Sequence, residues 1–67
     1  MTKSYVLQDL KPDNSDNLIR IRFYPNNKAR FQVFTVTPQG YEHFEGAFFC
    51  LPDANGKVVS LFNPELK

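Results

Sequence analysis

Residues 18–36 read LIRIRFYPNNKARFQVFTV, and two runs in this stretch alternate apolar with polar side chains on either side of a Pro-Asn-Asn break. A period of two places alternate residues on opposite faces of an extended strand, whereas a helix needs an apolar stripe at a period of 3.6. The stretch therefore predicts an antiparallel pair of strands with one buried face.

The rest of the chain extends this reading. Short runs rich in β-branched and aromatic residues are bounded by clusters of Pro, Asn, Asp and Gly, which predicts strands over residues 4–10, 18–24, 28–36, 41–51 and 57–62. The polar connection KPDNSDN and the turns PNN, PQG and ANG join them closely, and Asn-Gly between apolar runs is a strong hairpin signal. The expected fold class is all-β: a five-stranded antiparallel meander, curled into a small SH3-like or OB-like barrel or remaining a twisted sheet packed on itself. Residues 63–66, NPEL, suggest a final single turn with Pro64 in its first position.

With 67 residues the chain has room for one domain spanning 1–67. A core of that size yields only about 3–5 kcal/mol of net stability, and small domains commonly add disulfides, metals or self-association. Cys50 is the only cysteine and has no partner within the chain. A lone thiol fits the reducing cytoplasm, and no apolar run approaches the length of a membrane span.

The net charge of +1 excludes a uniformly basic, nucleic-acid-coating protein, but the charge is unevenly placed. Residues 18–41 carry Arg20, Arg22, Lys28 and Arg30 without an acid. If Pro25, Asn26 and Asn27 form a three-residue loop with Asn27 left-handed, Arg22 faces Arg30 and Ile21 faces Phe31. One face of the hairpin is then Ile19, Ile21, Phe23, Ala29, Phe31 and Val33. The other is Arg20, Arg22, Tyr24, Lys28, Arg30 and Gln32. Like charges directly opposite one another are unfavourable, so this face calls for an anion. Cations around an aromatic ring suit single-stranded DNA or RNA, which is the first functional expectation.

A second hairpin, closed by Ala54, Asn55 and Gly56, would pair Leu51 with Val59 and Phe49 with Leu61. Its two faces would both be apolar, and only one of them can line a barrel. The set Ala47, Phe49, Leu51, Val59 and Leu61 is then left for the N-terminal residues Tyr5, Val6, Leu7 and Leu10 to cover, or for a protein partner or a second copy. This is the alternative functional expectation, a protein-interaction module such as a small inhibitor or accessory subunit.

Catalytic chemistry finds little to work with. His43 is the sole histidine and no further Cys lies at metal-ligand spacing, so no metal site is expected. On an extended strand His43 and Cys50 lie on opposite faces, as do Glu42 and Glu45, so neither pair suggests nucleophilic or paired-carboxylate catalysis. No phosphate-cradling glycine motif is present. The sequence thus points to a binding module without catalytic residues, cofactor or small-molecule substrate.

Overall fold

The structure, a computed structural model, describes residues 3–13 and 15–62. Four strands precede one helix: β1 (Tyr5–Leu10), β2 (Leu18–Phe23), β3 (Phe31–Val36), β4 (Glu42–Phe48) and α1 (Leu51–Phe62). The strands form one antiparallel sheet in the order β1-β2-β3-β4. The meander is as expected over these four strands. The fifth strand and the closed barrel are not found: β1 and β4 remain the two edges of an open sheet, and residues 57–62 are helical. The turn suggested at 63–66 lies outside the described residues. Among the described residues no helix is long and apolar enough to cross a membrane.

The helix forms where the sequence suggested a hairpin. Leu51, Ala54, Val58, Leu61 and Phe62 recur at helical spacing and so share one face. Pro52 stands in the first turn, where a missing N–H breaks no intrahelical bond, and Asp53 in the same turn complements the helix dipole. Asn55 and Gly56 lie in the middle of the helix, each costing roughly 0.5–1 kcal/mol relative to alanine. Against this, fully burying a side chain such as Val58 contributes about 1.5–3 kcal/mol. Ala54 and Val58 are buried, and Leu61 and Phe62 pack against the same cluster. Packing therefore overrides the Asn-Gly turn signal.

The core lies between α1 and one face of the sheet, with Ile19, Ile21 and Val33 beneath Ala54 and Val58, and Phe31 and Phe48 flanking them. Phe23 and Phe31 are cross-strand partners whose ring centroids are 5.3 Å apart. Gly46 pairs with Val33 on this face, and a Cβ there would meet the Phe48 ring at 3.0 Å. The glycine thus makes room for an aromatic side chain of its own strand.

Two connections set the registers. Between β3 and β4, the Gly40 N–H donates to the Thr37 carbonyl, and the Thr37 N–H donates to the Tyr41 carbonyl, both at 2.9 Å. Pro38 takes the first central position and Gly40, with φ 95°, supplies the left-handed residue that such a hairpin requires. Between β2 and β3 the expected three-residue loop does not form, because no non-glycine residue among those described has positive φ. The hairpin closes instead with the Tyr24 N–H donating to the Arg30 carbonyl at 2.7 Å, and Ile21 faces Val33 rather than Phe31. The slip is two residues. An even slip preserves which side chains share a face, so Ile19, Ile21 and Phe23 still oppose Arg20 and Arg22.

Candidate partner-binding surface

The sheet face away from α1 carries Asp9, Arg20, Arg22, Gln32, Phe34, Val36, Glu42, Phe44 and Ala47, as the strand registers dictate. Arg20 donates from Nε and Nη2 to the two Asp9 carboxylate oxygens at 2.8 and 3.1 Å, and from Nη1 to Glu42 Oε2 at 2.7 Å. Arg22 donates from Nη2 to the same Glu42 oxygen at 2.7 Å and from Nη1 to Ser4 Oγ at 3.1 Å. The bonds to Glu42 join β2 to β4, two strands away and roughly 10 Å apart in the sheet. The arginine arms therefore pass over β3. That roof explains why Phe34 and Val36 are only 9% and 4% exposed on a face without a helix.

The anion that the basic strand called for is supplied by the chain itself. The hydrogen bond from Arg22, assisted by that from Arg20, holds the Glu42 carboxyl below the ordinary glutamate range against the opposing effect of desolvation. Asp9 and then Glu42 raise the Arg20 guanidinium still further above its already high value. Two cations and two anions leave the centre of this face neutral.

The six residues expected to bind nucleic acid are split. Arg20, Arg22 and Gln32 lie on the open face. Tyr24, Lys28 and Arg30 lie in the β2–β3 connection, where Arg30 Nε donates to the Asn27 carbonyl at 3.3 Å. The expected apolar face is also dismantled. Ala47 points to the open side, while Leu51, Val59 and Leu61 belong to α1 on the other side. Phe49, 74% exposed, sits in the junction between β4 and α1. Leu61 packs on the core, and the proposed pairings Leu51 with Val59 and Phe49 with Leu61 do not exist because both partners would have to be strands.

A different apolar surface takes their place. The helix packs across β2, β3 and β4 and leaves β1 as an overhang. On this edge Tyr5, Val6 and Leu7 are 55%, 45% and 49% exposed. Beside it Leu10, Asn55, Val58, Val59 and Phe62 line a groove of about 280 Å³. The sequence signal for this surface is three consecutive apolar residues, YVL, where a strand with one buried face should alternate. A second cavity, about 240 Å³, lies near the end of α1. Two of its lining hydroxyls are engaged: Ser15 Oγ accepts the Asn17 N–H, and the Thr35 hydroxyl donates to Glu45.

Among the described residues no three His, Cys, Asp or Glu side chains converge to hold a metal ion. Cys50 is exposed. No family model matches the chain, and no curated protein or solved structure is significantly similar to it.

Proposed function

We propose that this chain is a protein-interaction module that docks through the β1 edge and the adjoining groove beside α1. The observation that supports this most directly is the exposed Tyr5-Val6-Leu7 run on a strand whose outer hydrogen-bonding groups have no sheet neighbour. Free, uncharged edges are templates for strand addition, and monomeric proteins ordinarily protect them with charge or cover. The open sheet face is a poorer docking surface, because burying its central ion pairs would cost their desolvation. The exposed single thiol suits a cytoplasmic setting.

Nucleic-acid binding is the second reading. It is favoured by Lys28 and Arg30, which make no ion pair among the described residues, and by the exposed ring of Phe44 on the open face. Phosphates would have to displace Asp9 and Glu42 from Arg20 and Arg22, which weakens the electrostatic gain. Two measurements separate the readings. Quantitative affinity capture with the wild type and with Leu7→Lys should show a stoichiometric protein that the variant loses. Titration with single-stranded oligonucleotides at low salt should show no binding; binding abolished by Arg20→Ala with Arg22→Ala would replace the first reading by the second.

A further inference from the structure

Resting on the docking reading above, we infer that the part of the partner that fills the groove is an amphipathic helix of a different chain, laid antiparallel to α1. The floor of the groove is the helix-side face of β1. Tyr5, Gln8 and Leu10 pair with Phe23, Ile21 and Ile19 and so share the face of the core, because the bulge between Val6 and Gln8 moves the alternation by one residue. The wall is one flank of α1. Leu51, Asn55, Val59 and Phe62 follow one another at intervals of four, four and three residues, which sets them in one stripe beside β1. Leu51 and Val59 of this stripe are 39% and 60% exposed.

The space has the width of a helix. α1 packs on β3 and β4, less on β2, and does not approach β1 closely. Its axis is therefore about two and a half strand spacings, roughly 12 Å, from β1. Packed helices lie about 8–10 Å apart, so a second helix beside α1 stands above β1 and β2. An added strand would instead extend the sheet in its own plane and leave the flank of Leu51 and Val59 bare. The bulge in β1 also interrupts a regular row of edge hydrogen bonds, so the groove is the larger contact. α1 of a second copy does not suit the space, because it would turn its outer face of Pro52, Asp53, Gly56 and Ser60 to the floor.

The two ends of the groove differ in charge. Lys3 precedes β1, and Lys28 and Arg30 lie in the β2–β3 connection at the same end, where α1 starts. Asp53, in the first turn of α1, lies on the outer face of that helix. The other end, where α1 stops, adjoins the β1–β2 connection with Asp13 and Asp16, while Lys11 there donates to the Ser15 carbonyl at 2.9 Å. The last turn of α1 carries no basic residue. An antiparallel helix sets its positive N-terminus beside these carboxylates and its negative C-terminus beside the lysines, with its dipole opposed to that of α1.

The probe is a synthetic peptide of about 14 residues, four turns of helix, with leucines at every third and fourth position and neutral polar residues elsewhere. Fluorescence anisotropy of the labelled peptide should rise on titration with the protein, and the peptide should gain helical circular dichroism on binding. Val59→Lys on the wall and Tyr5→Gln on the floor should each lower the affinity by about tenfold or more, as for the loss of one buried apolar side chain. Val6→Lys, on the other face of the same strand, should not. Circular dichroism checks that each variant is folded, and either groove variant decides the question if the other is not. A nitroxide at the peptide N-terminus should broaden the amide resonances of Leu10 and Phe62, not those of Tyr5 and Leu51.

Absence of peptide binding, unchanged affinity in the folded groove variants, equal binding of a proline-interrupted peptide that can only be extended, or broadening at the Tyr5 end overturns the inference. So does a wild type that loses peptide binding as it self-associates in sedimentation velocity, which puts a second copy in the groove. If a captured protein is lost in Leu7→Lys but kept in Val59→Lys, only the helix is overturned and docking at the edge stands. A chain that binds neither peptide nor protein overturns the docking reading as well.

Discussion

Replacing Gly56 with alanine has opposite consequences in a helix and in a hairpin, so its sign tests the architecture of the C-terminal segment. Gly56 lies in mid-helix and is not among the residues of positive φ, and a Cβ added there meets no atom within 4 Å. Alanine should then stabilise the protein by about 0.5–1 kcal/mol, because it restricts the unfolded chain and favours helix. For a domain of this size each kcal/mol moves the midpoint by roughly 4–8 °C. The expected rise in Tm is thus about 2–8 °C, measured by far-ultraviolet circular dichroism and repeated by urea unfolding with an unchanged slope. In a hairpin, Gly56 would occupy the left-handed position and alanine would cost about 1–2 kcal/mol. Gly40, at φ 95°, provides the internal control, and Gly40→Ala should lose that amount. A Gly56→Ala variant that melts below the wild type would refute the helical reading and the packing argument built on it.

Other substitutions probe the two faces of the sheet. Glu42→Gln should remove both shared ion pairs and loosen the roof over Phe34, costing roughly 1 kcal/mol, with a smaller loss at high salt, as measured by urea unfolding. Because the folded-state pKa of Glu42 is depressed, its stabilising contribution is present above the ordinary glutamate range and is lost as pH falls through the lower folded value. The acid limb of the stability profile should therefore be shallower in Glu42→Gln. Gly46→Ala should cost about 1–3 kcal/mol by displacing the Phe48 ring, visible as altered aromatic side-chain resonances in NMR spectra. Ile21→Ala removes a fully buried side chain and should cost about 2–5 kcal/mol, comparable with the whole stability of a chain this small. That variant should be largely unfolded by circular dichroism.

The sequence by itself determined the β2–β3 pair, the separation of its faces and the Pro38–Gly40 turn. These depend on local rules: a two-residue period, a proline at the first turn position and a glycine where φ must be positive. Even the misplaced β2–β3 register kept the faces correct, because the error was an even number of residues. For the last segment the local signal predicts a hairpin where a helix forms. Asn-Gly favours a turn locally, while the spacing of Leu51, Ala54, Val58 and Leu61 favours a helix only once a surface exists for that stripe to cover. Only the assembled sheet, with Ile19, Ile21 and Val33 on one face, supplies that surface. The fate of the basic strand was likewise settled at long range. Arg20 and Arg22 read as unpaired cations along the chain because Asp9 and Glu42 lie 11 and 20–22 residues away. Those carboxylates reach the arginines only when strand order brings β1 and β4 to either side of the β2–β3 pair. That the Tyr5-Val6-Leu7 run lies on a free edge was likewise decided by the tertiary structure, because α1 packs across β2, β3 and β4 and leaves this part of β1 exposed.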